Sequence, residues 1–180
     1  METTKRQVIL LSLIESMINS GSWCGETHIQ KNMYFLQTMF KVPTEFDYIL
    51  YKHGPFSFEL RDSLGDMRGN MLVELSSRIP YGPSYRSSKT GKALIERYPK
   101  TAQLYKREID FIARQFSDLG VADLERLATA LYVTVEEGES TIEAQARKIH
   151  ELKPHISESA AEQAIQEVEK LSLQYASISA

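Results

Sequence analysis

The chain has 180 residues, of which 42% are hydrophobic, 25% charged and 9% aromatic, and its formal net charge is -3. This is ordinary globular composition, which excludes a disordered, collagen-like or disulfide-stapled protein. The longest apolar run, from Val8 to Ile14, falls well short of the roughly 20 residues that cross a bilayer, so no membrane partner is expected. Because Cys24 is the only cysteine and no cleavable secretory signal is evident, the sequence predicts a cytoplasmic protein.

Charge is distributed unevenly along the chain. Residues 1–100 hold 13 Lys or Arg against 10 Asp or Glu, whereas residues 101–180 hold 8 against 14. Within residues 76–100, six basic residues face one acidic residue. Such a patch can attract phosphates, although it can equally be a solvated face. Composition and predicted structure both change near Pro99, which predicts one domain over residues 1–98 and a helical extension over residues 99–180.

The first two predicted elements are helices with capping-box patterns. Thr4 and Gln7 form the first box, ahead of a helix that should run to about Asn19. Thr27 and Gln30 form the second, ahead of a helix with an apolar stripe at helical spacing.

The next elements are predicted from the spacing of apolar residues and from breaks at Gly and Pro. They are a strand over 46–52, a helix over 56–67 that ends at Gly69-Asn70, two hairpin strands over 71–77 and 85–88, and a helix over 89–98. Helix, helix, strand, helix and hairpin is the order of a winged-helix domain with an extra strand before its third helix.

Only helices are predicted beyond Pro99. Two of them begin at further capping-box patterns, one at Ser140 and one at Ser159. The predicted fold class is therefore mainly α (α+β): a winged-helix-like N-terminal domain with a small β-hairpin wing, followed by a helical C-terminal extension.

The residues that could carry chemistry do not form a recognisable catalytic set. There is no phosphate-cradling Gly-rich loop and no C-x-x-C pair. Cys24 and His28 are four residues apart, but Gly25 between them argues against one continuous helix face, so a buried or half-buried cysteine at a helix entrance is expected. His150 and His155 are predicted to be helix-end histidines beside backbone carbonyls. The sequence thus predicts no catalytic, cofactor-binding or metal-binding residue, and a protein that is not an enzyme.

Two kinds of partner remain open. If the protein binds DNA, helix 56–67 would enter the groove and the basic wing would contact phosphates, with the candidate residues Arg61, Arg68, Arg78, Arg86, Lys89 and Lys92. Asp62 and Asp66 on the same helix would repel the DNA backbone. If the protein instead binds another protein, exposed aromatics at Tyr81 and Tyr85 and the acidic C-terminal helices would form the contact.

Three segments carry a family resemblance. Y-F-L-Q at 34–37, Tyr51 to Ser57, and Tyr85 to Gly91 ahead of a helix resemble the marks of Panacea and YwgA-like domains. The matching residues are Lys31, Tyr34, Phe35, Gln37, His53, Gly54 and Pro55, of which Lys31 and Gln37 are expected to be exposed. The resemblance implies a winged-helix derivative whose motif residues mark the fold. Because Panacea domains are associated with neutralising toxins, it also implies a toxin as a protein partner. The apolar stripe of the last predicted helix would suit either packing within the chain or a homodimer.

Overall fold

The computed structural model of the chain describes residues 2–78, 81–138 and 141–179, and leaves the side chains of Arg78, Tyr81 and Ser179 undescribed. Two predicted features, the hairpin turn at Ile79-Pro80 and the cap at Ser140, lie outside the described residues. The elements are α1 (Thr3–Asn19), α2 (Glu26–Thr38), β1 (Ile49–Tyr51), β2 (Gly54–Phe56), α3 (Phe58–Gly69), β3 (Val73–Arg78), β4 (Tyr81–Ser87), α4 (Lys89–Arg97), α5 (Pro99–Leu104), α6 (Lys106–Gln115), α7 (Val121–Glu136), α8 (Ile142–Leu152) and α9 (Glu158–Ser179). The described chain is mainly helical with two small antiparallel hairpins, which confirms the mainly α class, whereas the winged-helix-like arrangement stays a prediction.

The chain divides into two compact units. Unit 1 comprises Met1–Ile49 and Phe56–Leu119, and unit 2 comprises Leu50–Pro55 and Gly120–Ala180. Unit 1 contains 15 Lys or Arg and 13 Asp or Glu, a net charge of +2, and unit 2 contains 6 and 11, a net charge of -5. The two units therefore differ in net charge in the same sense as the two halves of the sequence. The sequence boundary at 98/99 stays a prediction, and α5 and α6, which lie beyond it, pack on α1 within unit 1.

Helix α1 forms the centre of unit 1. Its buried residues are Val8, Ile9, Leu10, Leu11, Leu13, Ile14 and Met17, and it contacts α2, α4, α5, α6 and β4. The predicted end at Asn19 is confirmed. The predicted capping box is wrong, because the helix already begins at Thr3, and Glu2 at the N-cap position makes no side-chain cap.

Helix α2 is buried along nine consecutive residues, 28–36. The predicted box at Thr27 and Gln30 is wrong, because the helix begins at Glu26 and the Gln30 side chain pairs with a different segment. Its Nε2 donates to Ser57 O at 2.9 Å and its Oε1 accepts from Ser57 N at 3.0 Å. Lys31 was expected to be exposed but is 1% exposed, because α2 packs against α1, α3, α6 and β4.

One hairpin precedes α3 in the chain and the other follows it. Strands β3 and β4 pair antiparallel with Val73 opposite Ser87, which confirms the predicted hairpin, although β4 begins earlier than expected. The predicted strand 46–52 is shorter, and it pairs with β2, where a turn and the start of a helix were expected. Ser57 caps α3 by accepting a hydrogen bond from Leu60 N, so this helix begins at Phe58 rather than Phe56.

Unit 2 contains α7, α8 and α9, which pack on one another. Its core comprises Leu124, Leu127, Leu131, Ala146, Ile149, Ala161, Ile165 and Val168. Thr141 caps α8 by accepting from Ala144 N at 3.2 Å. The predicted box at Ser159 is wrong, because Ser157 is the residue whose hydroxyl accepts from Ala160 N and α9 already begins at Glu158. No helix in the described ranges is long and apolar enough to cross a membrane.

Candidate functional site

Helix α3, the predicted groove helix, exposes more acidic than basic residues. Leu60, Leu64 and Met67 are buried in unit 1. The charged residues on the exposed side are Glu59, Arg61, Asp62, Asp66 and Arg68. The exposed face therefore carries three carboxylates against two guanidinium groups. Arg61 and Arg68, two of the candidate DNA contacts, are both exposed.

An aromatic and arginine cluster occupies the first turn of α3. The rings of Phe56 and Phe58 meet edge to face with centroids 5.2 Å apart, and Phe58 is 40% exposed. The Arg61 guanidinium lies 4.9 Å from the Phe58 ring centroid, and Arg61 Nε lies 3.6 Å from Asp62 Oδ1. We call Phe56, Phe58, Arg61 and Asp62 the α3 surface. Its arginine is already engaged by an aromatic ring and a carboxylate.

A second feature of unit 1 is a cavity at the start of α4, with a volume of 780 Å³. The residues that line it and can bind a ligand are Arg68, Ser87, Ser88, Lys89, Thr90 and Lys92. We call this the α4 cavity. It brings together Arg68, Lys89 and Lys92, three of the six predicted DNA contacts.

Two residues fix α4 beside this cavity. Ser88 at the N-cap accepts from Gly91 N at 3.0 Å and donates to Met71 O at 2.5 Å. A Cβ on Gly91 would lie 2.2 Å from Leu72 O, so only glycine lets the helix approach the chain before β3 this closely. The Ser88-x-x-Gly91 pattern thus sets the position of Lys89 and Lys92.

The remaining predicted DNA contacts do not join the α4 cavity. Arg86, which lies opposite Glu74 in the β3–β4 ladder, is not among the residues that line the α4 cavity. It lines a separate hollow with Trp23. Arg61 belongs to the α3 surface, and the Arg78 side chain lies outside the described residues. That these residues bind nucleic acid stays a prediction.

Unit 2 contains a buried ion pair that the sequence did not reveal. Glu125 on α7 is 5% exposed and Lys153, after α8, is 7% exposed, with Nζ 3.5 Å from Glu125 Oε1. Lys153 Nζ also donates to Tyr51 O and, at 2.6 Å, to Lys52 O. A buried charge requires partners of this kind, and Lys153 obtains them from two backbone carbonyls and one carboxylate.

Two histidines flank this ion pair. His53 Nδ1 lies 3.3 Å from Glu125 Oε2, and His155 Nε2 lies 3.2 Å from Glu125 Oε1. We call Tyr51, His53, Glu125, Lys153 and His155 the Glu125 cluster. The prediction that His155 is a helix-end histidine beside carbonyls is wrong, because its ring faces a carboxylate.

His150 was also predicted to be a helix-end histidine beside backbone carbonyls. This prediction is confirmed, because its Nδ1 lies 2.7 Å from Ile156 O beyond the end of α8.

The His-Gly-Pro turn is shaped by its contact with α7. Gly54 has φ +80°, and a Cβ there would lie 3.1 Å from Thr129 Oγ1 and 3.3 Å from the carbonyl oxygen of Glu125. Both the left-handed backbone and the close approach favour glycine. His53, Gly54 and the Lys153 donor therefore act together to hold residues 51–54 on the helices of unit 2, and Pro55 is buried beside them.

The other family-motif residues lie in unit 1. The Tyr34 ring contacts Tyr48 with centroids 4.9 Å apart, and the Phe35 ring contacts Phe116 at 4.7 Å. Gln37, expected to be exposed, is half-buried: its Nε2 donates to Phe46 O at 2.8 Å and its Oε1 accepts from Phe46 N at 2.8 Å. These side chains pack the core or hold a loop.

Cys24 and His28, which are four residues apart in the sequence, are both buried. Cys24 is fully buried, as predicted, and burial raises the pKa of its thiol to about 12. Burial also lowers the pKa of His28, an effect partly opposed by the Leu119 carbonyl, which lies 3.2 Å from Nε2. Among the described residues, no group of three or more His, Cys, Asp or Glu side chains is arranged to hold a metal ion.

No family model matches the chain, and no curated protein matches it. The resemblance to Panacea and YwgA-like domains stays a prediction.

Proposed function

We propose that the protein is a non-enzymatic, protein-binding module of a regulatory or defence system, antitoxin-like in role, in which a winged-helix-like part presents the α3 surface to its partner. The observation that carries this proposal is the cluster of Phe58 and Arg61 on an exposed helix face with three carboxylates. Aromatic side chains and arginine are the residues most enriched at the energetic centres of protein interfaces. The expected partner surface combines apolar groups with a few basic ones.

The charge of α3 favours a protein over DNA at this surface. Asp62 and Asp66 would face the phosphates of a groove entered by this helix, and phosphate contacts dominate DNA affinity. The Arg61 guanidinium is also committed to Phe58 and Asp62 on its own helix. A protein partner can bind the stacked Phe58 and Arg61 side chains without separating them.

The absence of enzymatic activity is part of the proposal. Its main support is Cys24, whose thiol is buried and has a pKa of about 12, because a cysteine nucleophile needs an accessible thiolate. The Glu125 cluster uses its carboxylate and its ammonium group to hold the chain together.

The test is affinity purification of the tagged chain from the cells that encode it, with bound proteins quantified by mass spectrometry. Phe58→Ala and Arg61→Ala should each lower the yield of a specific partner by about tenfold or more, as for an interface hot spot. The matched control is Leu104→Ala, which shortens another exposed apolar side chain of unit 1 and should retain the partner. Partner yields unchanged in both α3 variants, or no protein enriched over the tag alone, would overturn the proposal.

The alternative function is a DNA-binding transcriptional regulator that uses helix 56–67 and the basic wing. The observation in its favour is that Arg68, Lys89 and Lys92 line one cavity. A gel shift with random duplex DNA at low salt tests it, because phosphate contacts are strongest there. A shift that weakens with salt and is lost in Arg61→Glu supports the regulator, and no shift at low salt excludes it.

A further inference from the structure

The exposed side of helix α3 sorts its charged residues by sign, and the basic residues form one edge of it. Leu60, Leu64 and Met67 are buried, so the exposed side is the one opposite to them. Arg61 and Arg68 are exposed and, at about 100° per residue, lie about 20° apart around the helix axis. We call these two arginines the basic edge of α3.

The acidic residues form the other edge of the same side. Glu59, Asp62 and Asp66 are exposed and follow one another at spacings of three and four residues. They therefore fall within about 60° of one another around the helix axis. We call these three carboxylates the acidic edge of α3, and it runs along the helix beside the basic edge.

A low apolar seam separates the two edges. It consists of Phe58, Gly65 and Gly69, which fall within about 40° around the axis. Phe58 is 40% exposed, and a Cβ added at Gly65 or Gly69 would meet no atom of the described residues within 4 Å. A second helix can therefore approach the seam closely and contact the Phe58 ring between two rows of charges.

The order of edge, seam and edge makes this side of α3 complementary to itself. A two-fold axis parallel to two facing helices preserves the height of each residue and exchanges the two edges. Arg61 then lies opposite Asp62 of the second copy and Arg68 lies opposite Asp66, with offsets of about 1.5 and 3 Å along the axis. Each pairing occurs twice. An antiparallel pair would instead bring like charges together.

The charges that this arrangement uses remain available on the surface of the chain. Asp66 and Arg68 form no ion pair with another described residue. Arg61 Nε lies 3.6 Å from Asp62 Oδ1, but the two side chains are still 51% and 72% exposed. An exposed pair of this kind contributes little to stability, so its members can also pair across an interface.

We propose that the exposed side of α3 is the contact between two copies of this chain, packed as a parallel two-fold pair. The inference rests on the proposed function, in which α3 binds a protein, and it names a second copy of the chain as that protein. Helix α3 has 12 residues and is about 18 Å long, so two copies bury less than the roughly 1,600 Å² of a standard stable interface. The dimer is therefore weak and forms only at high concentration.

The test is sedimentation velocity of the purified full chain over a range of protein and salt concentrations. The chain should change from monomer to dimer as its concentration rises. Added sodium chloride should weaken the association, because the paired edges are exposed to solvent. A monomer at every concentration up to the solubility limit, or a dimer that salt does not weaken, would overturn the proposal.

Single charge reversals locate the contact. Arg68→Glu and Asp66→Arg should each raise the dissociation constant of the dimer by about tenfold or more, because each places like charges opposite each other twice. The matched control is Lys170→Glu, which reverses an exposed charge on α9 and should dimerise as the wild type does. Circular dichroism verifies that each variant is folded. Equal dimerisation by the α3 variants and the control would contradict the assignment to α3.

A mixing experiment tests the parallel pairing itself. A chain with Arg61→Glu and Arg68→Glu has two acidic edges, and a chain with Asp62→Arg and Asp66→Arg has two mainly basic edges. Each should be monomeric alone, and an equimolar mixture should form a dimer with one copy of each, since only this combination pairs opposite charges. No association in the mixture, or association of either variant with itself, would overturn the parallel arrangement.

Failure of this inference can be distinguished from failure of the proposed function. Sedimentation uses the purified chain alone, so a monomer there overturns only the second copy as the occupant of α3. Affinity purification from cells can still yield a different protein that depends on Phe58 and Arg61. If no different protein is found in cells, the sedimentation result is unaffected.

Discussion

The α3 surface and the Glu125 cluster both contain charged and aromatic residues, but they use them in opposite ways. In the Glu125 cluster the ammonium of Lys153 and the carboxylate of Glu125 are withdrawn from solvent and satisfied by the chain itself. In the α3 surface, Phe58 and Arg61 remain accessible although they contact each other. The difference separates residues that maintain the fold from residues that are available to a partner.

The largest effect is expected from breaking the buried ion pair. Lys153→Ala removes the donor to Tyr51 O and Lys52 O and leaves the Glu125 carboxylate buried without its ammonium partner. Removing one member of a buried pair typically costs about 3–5 kcal/mol. Urea unfolding should show this loss in the free energy of unfolding.

The control for that variant is Lys148→Ala, which removes a lysine whose ion pair with Glu137 is partly exposed. Its expected cost is about 0–1 kcal/mol. Equal losses in the free energy of unfolding of the two lysine variants would show that the buried ion pair stabilises the chain no more than the partly exposed one.

The next largest difference in stability is expected between alanine substitutions at two glycines. Gly54→Ala places a side chain at φ +80° and within 3.3 Å of the Glu125 carbonyl, and it should destabilise the chain by about 1–3 kcal/mol. Gly65→Ala changes an exposed position of α3 with nothing within 4 Å of the new Cβ. It should stabilise the chain by about 0.5–1 kcal/mol. If thermal unfolding shows both variants with midpoints shifted in the same direction, the expected difference between the two glycines is contradicted.

A smaller effect concerns pH and the buried His28 of unit 1. Because burial lowers the pKa of His28 in the folded chain, the unfolded chain binds a proton first as the pH falls. Stability from this group is complete above the unfolded pKa of about 6.5 and is lost as the pH falls towards the folded value. Urea midpoints measured from pH 8 to pH 5 should decline, and His28→Gln should decline less. An identical decline in the variant would exclude His28 as the cause.

The smallest change in stability is expected at the α3 surface. Phe58→Ala should retain most of the free energy of unfolding, because the side chain is 40% exposed, whereas a truncated core phenylalanine typically costs about 3–5 kcal/mol. Phe35→Ala, which removes a fully buried ring, is the matched comparison. If Phe58→Ala lowers the free energy of unfolding as much as Phe35→Ala does, Phe58 stabilises the fold as a core residue would.

Helical periodicity predicted most of the fold. The structure confirms the first two predicted helices, α1 and α2, and contains only helices beyond Pro99 among the described residues, because these predictions depend on local spacing. Their starts were predicted less well, because the side chains of Gln30 and Ser157 pair with backbone groups that a capping-box pattern does not anticipate. The strand at 54–56 was missed because Gly-Pro is read as a turn.

The Glu125 cluster could not be predicted from the sequence. Glu125 stands next to Leu124 on a helix of ordinary charge pattern, and nothing local shows that its carboxylate is buried. Its partners come from residues 51–53 and 153–155, so the cluster depends on long-range packing.

The most direct test of the separation between the two regions is a comparison of partner binding by Phe58→Ala and His53→Ala. His53 is an exposed member of the Glu125 cluster, and Phe58 belongs to the α3 surface. Affinity purification with quantitative mass spectrometry should show that Phe58→Ala loses the protein partner while His53→Ala, folded by circular dichroism, retains it. Loss of the partner in folded His53→Ala, with retention in Phe58→Ala, would contradict the proposed role of the α3 surface.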